Sequence, residues 1–405
     1  MSAATPVLSE FVPADLAAPE RAAPKLAPVG VASSAAITIE RATGARLGEI
    51  DRAWNELLVR SHEPNVFMDP AIIGGLDASA FTLLAWQGSR LVGVWAFAVS
   101  RLAGLTALRS PAFAHAYLAT PVMDRDQAEA VLSVMLDHIA RASDLPKLIA
   151  LDPMRLDGPT MQALSAVLGA RGTQARVLGA VQRPILASEL DGKQYFEKAL
   201  SSSSRKKLRQ HRRRLEERGA VESMVATTPN EIEKAFEDFL NLEAAGWKGQ
   251  RGTALLSRAS DASSVRAMIA ALAERGRAEV HALYQGGKPV ASQVVLRAGA
   301  TAFTWKTAYD ETLGDYSPGM LLLENYTASF LADESIAMVD SCAFDGTGFM
   351  SAWSERETIG QVLIHAGRGR SAVFEAAAFM QQTFLKARTT AKALYWRGRQ
   401  KWMRK

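Results

Sequence analysis

A five-residue segment in the last quarter of the chain has the residue types of a phosphate-binding helix start. Ser317 can cap the helix that is predicted to follow, and Pro318 suits a first helical turn. Gly319 lets a ligand reach the backbone, where the N–H groups of a helix start attract a pyrophosphate. The alternative is an ordinary helix start that binds nothing. The complete segment is Tyr316, Ser317, Pro318, Gly319 and Met320.

A strongly basic segment lies about 100 residues earlier. Residues 201–218 begin with four serines and hold eight Lys or Arg residues against two Glu, a net charge of +6. The serines can cap a basic helix, on which Arg205 and Arg209 are candidates for binding the phosphate tail of a substrate. No aromatic residues are interleaved with these cations, which argues against a nucleic-acid partner. The alternative is a solvated helix face.

Three side chains that could meet a substrate are clustered near the predicted end of another helix. Glu243 is a candidate general base for an attacking amine, and Trp247 and Lys248 are candidates for substrate binding. The alternative is a core tryptophan between two surface charges.

Polar residues also follow the last strand that we predict in the second half. Asp340 ends this strand, and Asp345 and Trp353 come soon after it. Strand ends often present site residues in α/β folds, although an aspartate there is also a common turn former. We interpret Cys342 as a buried small residue, because no local His or basic cluster activates it. The six histidines have no metal-ligand spacing, so no metal is expected.

Composition and charge limit the class of protein. The chain has 405 residues, of which 48% are hydrophobic and 22% charged, as in a globular protein with room for two domains. A single cysteine, no apolar run of membrane-spanning length and no signal-peptide pattern favour a cytoplasmic protein. Residues 201–218 carry +6 and residues 386–405 carry +8, so the total of +5 leaves −9 for the rest. Such local basic elements suggest phosphate-bearing partners.

Hydrophobic periodicity predicts a mixed α/β fold in which one plan occurs twice. Residues 86–93 and 284–291 lie in similar hairpins, and similar elements surround both, which favours a duplication over two unrelated hairpins. The predicted strands are 37–40, 81–86, 91–100, 147–152, 174–183, 221–226, 279–284, 290–297, 301–309 and 337–340. The predicted helices are 46–60, 126–142, 158–170, 192–218, 230–245, 262–275 and 318–332.

The motifs and their order resemble one known family. The serine-capped basic helix, the segments 243–249, 305–310 and 316–319, and Asp340 follow one another as in the CelD/BcsL-like acetyltransferases associated with cellulose and exopolysaccharide production. That family is similar to the FemAB aminoacyl transferases, which also pair two GNAT (Gcn5-related N-acetyltransferase) units. The resemblance implies a mixed α/β fold of two tandem GNAT-like domains with a C-terminal helix.

This resemblance also implies a division of the chain and a set of ligands. The donor would be acetyl-CoA or another acyl-CoA, with its phosphates on the segment 316–320, and the acceptor a small molecule or saccharide with an amine or hydroxyl. Residues that match central positions of the family are Glu243, Trp247, Lys248 and Asp340. The expected parts are a disordered Ala/Pro-rich tail (1–36), an N-terminal GNAT-like domain (37–183), a C-terminal GNAT-like domain with the cosubstrate site (184–366) and a basic C-terminal helix (367–405).

The expected reaction is direct attack of the acceptor on the thioester, in exopolysaccharide or cell-envelope biosynthesis. Glu243 or Asp345 is the candidate base, and Tyr309 or Tyr326 is the candidate acid for the leaving thiolate. One alternative is a FemAB-like transferase that uses aminoacyl-tRNA. Another is a degenerate GNAT scaffold without activity.

After about residue 370 the sequence predicts one long helix with apolar residues at helical spacing. Residues 386–405 contain eight basic residues and no acid. Such a helix can lie peripherally on the inner face of an anionic membrane, although it is too polar to span one. The alternative is that its first half packs on the second domain and its last turns fray.

Overall fold

The structure is a computed structural model of the chain. It describes residues 35–76, 79–102, 104–344 and 348–402, and the side chains of this part except those of 389 and 391–402. Most of the predicted N-terminal tail and the candidate base Asp345 lie outside the described residues.

Thirteen strands form one sheet in the described part of the chain. The central strands of each half, such as the second and the tenth, are nearly continuous runs of buried residues because helices cover both faces of the sheet. In chain order the strands are β1 (Ile37–Ala42), β2 (Ala80–Gln87), β3 (Arg90–Leu102), β4 (Leu105–Ser110), β5 (Val122–Met123), β6 (Leu148–Arg155), β7 (Arg176–Leu186), β8 (Val221–Ala226), β9 (Ala278–Gln285), β10 (Lys288–Ala298), β11 (Thr301–Tyr309), β12 (Met338–Asp340) and β13 (Glu355–His365).

Twelve α-helices accompany these strands in the same described ranges. They are α1 (Ala45–Gly48), α2 (Asp51–Arg60), α3 (Pro70–Ile73), α4 (Ala128–Arg141), α5 (Pro159–Ala170), α6 (Gly192–Ala199), α7 (Ser202–Glu216), α8 (Pro229–Ala245), α9 (Trp247–Gln250), α10 (Ala259–Ala273), α11 (Pro318–Ala332) and α12 (Ala372–Trp402). None of these described helices is long and apolar enough to cross a membrane.

The order of the strands shows two halves that share one sheet. The order is β1-β2-β3-β4-β6-β13-β7-β12-β11-β10-β9-β8, with β5 attached to β3. In each half an antiparallel meander leads through a helix to a parallel strand, β4 through α4 to β6 and β11 through α11 to β12. This confirms the predicted mixed α/β fold with a repeated plan.

The division of the chain at residue 183 stays a prediction, and the strand pairing bears on it. Strand β13, which the predicted division places in the second domain, pairs with β6 and β7 of the first half. Strand β7 in turn pairs with β12 of the second half. The two halves are therefore joined by continuous backbone hydrogen bonds.

The prediction of one long helix over residues 192–218 is wrong. Leu200 is extended, with φ −118° and ψ 140°, and ends α6. Ser201 then begins α7, because its Oγ accepts a hydrogen bond from the Ser204 N–H. A serine run competes with the helix for backbone hydrogen bonds, so it interrupts the helix as well as capping it. The predicted helix over 46–60 is likewise divided into α1 and α2.

Helices cover both faces of the second half of the sheet. Residues of α8 and α10 pack on one face, and residues of α6, α7 and α11 pack on the other. In the first half, α4 and α5 cover one face, while the beginning of α12 covers part of the other. The first turns of α12 therefore pack on β4 and β6 of the first half and on β13, which the predicted division assigns to the second domain.

Candidate functional site

The parallel strands β11 and β12 separate soon after they begin to pair. They pair only through residues 301–303 and 338–340. Strand β11 then continues to Tyr309, while the chain after β12 follows β7, where the Ser341 N–H donates to the Pro184 carbonyl. The diverging strands leave a wedge-shaped opening beside β11, which we call the wedge. Its backbone edge can hydrogen-bond an extended ligand.

Helix α11 begins beside the wedge without a side-chain cap. The expected cap from Ser317 is wrong, because its backbone is left-handed (φ 49°, ψ 53°) and its side chain makes no cap hydrogen bond. The Ser317 Oγ lies instead 3.1 Å from His211 Nδ1. Pro318 occupies the first turn as predicted, and that turn contains no acidic residue. The positive end of the helix is therefore not neutralised from within its first turn.

The aromatic ring of Tyr309 lies against Gly319. A methyl group built on Gly319 would be 3.5 Å from Cδ1 of Tyr309, an ordinary van der Waals distance. A branched side chain would press on the ring. Because Tyr309 ends β11 and is 37% exposed, it lies where the wedge meets the start of α11.

The end of the basic helix α7 lies over the same segment. The guanidinium of Arg218 is 5.4 Å from the ring centre of Tyr316, and its Nη1 donates to the Tyr316 hydroxyl at 3.3 Å. Burial, together with the charges of Lys207 and Arg214, lowers the pKa of His211. Arg218, two residues after α7, is thus a cation in contact with the predicted phosphate segment.

The predicted phosphate ligands Arg205 and Arg209 lie at a different place. They line a cleft of about 460 Å³ between α6, α7 and α11. Arg205 is 3.8 Å from Glu197, and the neighbouring Arg212 is 3.3 Å from Glu324. Since Glu324 lies almost two turns into α11, this cleft is separate from the helix start.

The carboxylate of Glu243 on α8 is hydrogen-bonded to Lys248 on α9 and to the backbone of Leu255. It is buried, and its Oε1 accepts from Lys248 Nζ at 2.8 Å while its Oε2 accepts from the Leu255 N–H at 2.8 Å. Lys248 Nζ also donates to the Thr307 carbonyl on β11 at 3.4 Å. With both oxygens occupied, Glu243 is suited to orienting Lys248 against β11.

The ring of Trp247 is exposed at the surface next to this pair. It is 46% exposed, its backbone N–H donates to Glu311 at 2.9 Å, and Arg251 lies 5.1 Å above the ring centre. Trp247, Lys248 and Tyr309 line a small cleft of about 30 Å³. This exposure excludes the core position that the sequence left open for Trp247, and its role in substrate binding stays a prediction.

Two titratable side chains, one from each half, have lowered pKa values near β11. Burial lowers the pKa of Lys306 to about 8, against the opposing charge of Glu243. Burial and the charge of Lys306 lower the pKa of His115 to about 4. The two segments are fixed together because Trp305 Nε1 donates to the His115 carbonyl at 2.8 Å. A lysine with this pKa is partly neutral near physiological pH, so it can accept a proton.

Spacing alone does not reveal these two residues. A signal for Lys306 exists, because it is a cation directly after five buried residues, 301–305, in a strand. His115 lies in a segment without periodicity, so only the tertiary structure brings it to β11.

Asp340 is expected to bind substrate, but protein groups surround its carboxylate on all sides in the structure. Asp340 is fully buried, and its carboxylate accepts from Arg183 at 3.2 Å, from Arg155 at 3.4 Å and from the Cys342 N–H at 2.7 Å. Cys342 is buried as predicted, and burial raises the pKa of its thiol. This arrangement fixes the point where the chain leaves β12 at the base of the wedge.

Trp353 and Tyr326 belong to the core around α11. Trp353 is fully buried, and its Nε1 donates to Thr327 at 2.9 Å. Tyr326 is also buried, with its hydroxyl 3.7 Å from the sulfur of Met350, and burial raises its pKa. Neither side chain lines a cleft that the structure describes around β11.

The structure therefore divides the predicted residues into two groups. Those around the end of β11 are Glu243, Trp247, Lys248, Tyr309, Tyr316, Ser317, Pro318, Gly319 and Met320. Those away from it are Arg205, Arg209, Asp340 and Trp353. Within the described ranges, no group of three or more His, Cys, Asp or Glu could hold a metal ion.

Comparisons with known proteins bear on the class of protein and on its fold. Residues 202–346 match the family described as acetyltransferase (GNAT) domain. This part of the chain is a GNAT acetyltransferase domain, and the protein is accordingly a transferase. No curated protein is recognisably similar to the chain in sequence.

Solved structures show that the similarity in fold extends over both halves. FemX is similar at a TM-score of 0.52 and 13% identity, covering 78% of this chain and 96% of its own. The C-terminal domain of a protein described as a lysylphosphatidylglycerol synthetase from Agrobacterium fabrum gives 0.52 and 13%, covering 84% and 97%. A tandem GNAT protein from the clavulanic acid biosynthesis pathway gives 0.41 and 13%, covering 82% and 100%. At these identities the similarity concerns the fold alone.

Proposed function

We propose that the protein transfers an acyl group, with acetyl as the simplest case, from acyl-CoA to an amine or hydroxyl acceptor. The observation that carries this proposal is the uncapped start of α11 beside the wedge, within the GNAT domain. The helix start suits a pyrophosphate, and the unpaired edge of β11 suits an extended acyl-pantetheine arm. Both features meet at Tyr309, where the thioester would be held.

We assign the movement of a proton in this reaction to Lys306 on β11, because its lowered pKa leaves part of it neutral near physiological pH. The acceptor nitrogen or oxygen attacks the thioester carbon, the C–S bond breaks, and the acceptor's proton passes to neutral Lys306. Tyr309 would protonate the departing thiolate, as expected from the sequence. Glu243, the first candidate base, would position Lys248 instead, because both its oxygens already accept hydrogen bonds.

The nature of the acceptor belongs to this proposal. The exposed ring of Trp247 borders the cleft at β11, and an exposed aromatic ring can stack on the apolar face of a sugar. This supports a saccharide acceptor, in line with the resemblance to exopolysaccharide-associated acetyltransferases. A cytoplasmic location, where acyl-CoA is made, is part of the same proposal.

Aminoacyl transfer is a second candidate function. The chain shares its fold with FemX and with a domain whose protein is named for joining lysine to phosphatidylglycerol. The exposed cations of α7 could then contact tRNA. A catalytically degenerate scaffold is the third possibility, and it would bind acyl-CoA weakly or not at all.

A turnover assay read by mass spectrometry distinguishes these functions. The protein is incubated with acetyl-CoA and a panel of amines, amino sugars and oligosaccharides, and separately with aminoacyl-tRNA and the same panel. We expect an acceptor whose mass increases by one acetyl group, together with release of free CoA. Aminoacylated product without acetylated product would favour the second function. Absence of acyl-CoA binding in a calorimeter would refute the proposal.

A further inference from the structure

The long C-terminal helix α12 presents a surface that the acyltransferase proposal does not use. Its first turns are held by Phe374, Ala377 and Ala378, which are buried against the sheet. The opposite side of the helix carries large apolar side chains in full contact with solvent. Val373 is 62% exposed and Phe379 is 71% exposed, although neither neighbours the site.

These side chains form one uncharged face. At 3.6 residues per turn, a sector about 140° wide between the directions of Phe379 and Phe384 contains no Asp, Glu, Lys or Arg up to residue 387. Met380 and Phe384 on this face are 43% and 57% exposed. We call it the outer face of α12, and it consists of Val373, Ala376, Phe379, Met380, Thr383, Phe384 and Ala387, all of them exposed.

Cations flank and follow the outer face. Lys386 and Arg388 are exposed on either side of it. The sequence from 386 to 405 contains eight basic residues and no acid. An exposed apolar face followed by a segment of one charge is the pattern of a helix that lies in a membrane interface.

We propose that the outer face of α12 docks the protein on an anionic lipid bilayer. The apolar side chains would enter the boundary between headgroups and acyl chains, and the cations would contact anionic headgroups. A second copy of the chain is a poorer occupant, because pairing would bring two segments of charge +8 into one assembly. A nucleic acid would use the cations but would leave the exposed Val373 and Met380 without a partner.

Vesicle flotation of the full chain tests this surface. The probes are vesicles of phosphatidylcholine alone and of phosphatidylcholine with a third of phosphatidylglycerol, at low salt. Binding is expected to the anionic vesicles and to fall steeply at about 0.5 M NaCl. The double variant Phe379→Gln/Phe384→Gln should lower partitioning at least tenfold, because two apolar side chains no longer enter the bilayer. Val59→Gln is the matched control, since Val59 is 66% exposed on α2.

A charge variant separates lipid from other polyanions. Lys386→Gln/Arg388→Gln should lower vesicle binding about 30-fold, compared with no change for the exposed pair Arg52→Gln/Lys288→Gln. Retained secondary structure and acyl-CoA binding in all variants would show that the fold is intact. No binding of the full chain to anionic vesicles would overturn the proposal. So would a dimer that the Phe379→Gln/Phe384→Gln variant dissociates, or RNA binding that ignores this variant.

Discussion

The two halves of the molecule have the same order of elements, but they differ in what lies beside their parallel strands. In the second half β11 and β12 diverge and leave the wedge. In the first half the chain itself lies beside β6: the Ala119 N–H donates to the Pro153 carbonyl at 2.7 Å. Ser110, at the end of β4, donates to the Ala119 carbonyl at 3.3 Å, so the same segment is held from both sides.

The helix starts differ in the same way. The turn before α4 is capped by Asp124, which is fully buried and accepts from Arg60 at 2.8 Å and Arg90 at 2.6 Å. The turn before α11 is capped in the same manner by Asp310, so the difference lies in the helices themselves: Glu129 adds a negative charge to the first turn of α4. The start of α11 has no such carboxylate in its first turn. This difference favours the second half as the binding site for the anionic cosubstrate, as proposed above.

The largest expected effect comes from removing the proton acceptor of the second half. Lys306→Met should lower kcat by roughly 10²-fold or more with little change in acyl-CoA affinity. In the wild type, kcat should rise with pH through about 8, because Lys306 must lose its proton to act as a base. Steady-state kinetics across pH 6 to 10 measures both effects.

Lys288→Met is the matched control, because Lys288 is an exposed lysine at a hairpin tip of the same half. It should keep the activity and pH profile of the wild type. A rate that falls as pH rises through 8 would show that the charged form of Lys306 acts, as an electrostatic stabiliser and not as a base.

The next largest effect tests the structural role of the first half. Asp124→Asn leaves two arginines without their buried charge partner and should lower the free energy of unfolding by about 3 kcal/mol. At temperatures where the variant is folded, kcat/KM should be unchanged. Urea denaturation and kinetics provide the two measurements. A loss of kcat/KM in the folded variant would mean that the first half takes part in catalysis.

This carboxylate also gives the wild type a defined pH dependence. Burial alone would raise the pKa of Asp124, but the hydrogen bonds from Arg60 and Arg90 outweigh it, and the pKa is lowered. Its contribution to stability is therefore complete above the unfolded pKa of about 3.9 and is lost as pH falls through the lower folded value. Asp124→Asn should remove this part of the acid dependence of unfolding.

The sequence predicts the hairpins of both meanders well but misses β4 and β13, and physical reasons explain the difference. The hairpins around Gly88 and Gly286 combine long apolar runs with short turns, so their strands are predicted within a few residues. The pairing of β13 between β6 and β7 joins residues that are about 200 positions apart. No local pattern encodes such a choice, since it depends on which sheet edge remains open in the folded chain.

The residues of the proposed site differ in how far the sequence alone reveals them. Glu243, Trp247 and Lys248 stand out because three chemistries are close together in sequence. Lys306 and His115 become neighbours only when β11 packs against the first half, so burial and its effect on their pKa values appear only in three dimensions. Asp340 shows the converse, because a strand-end aspartate with the position of a site residue proves to be a buried ionic anchor.

The smallest of the expected effects tests whether the start of α11 binds the phosphates of acyl-CoA. Gly319→Val should weaken acyl-CoA binding about tenfold, because the branched side chain presses on Tyr309 and covers the backbone at the start of α11. Gly319→Ala is the matched control, since a single methyl group would be 3.5 Å from the Tyr309 ring and fits without displacement. Calorimetric titration with acetyl-CoA measures the affinity, and circular dichroism checks the fold. Equal affinity of folded Gly319→Val and wild type would place the phosphates elsewhere, with the cleft at Arg205 and Arg209 as the next candidate. The open helix start would then be a structural difference between the halves without a role in binding.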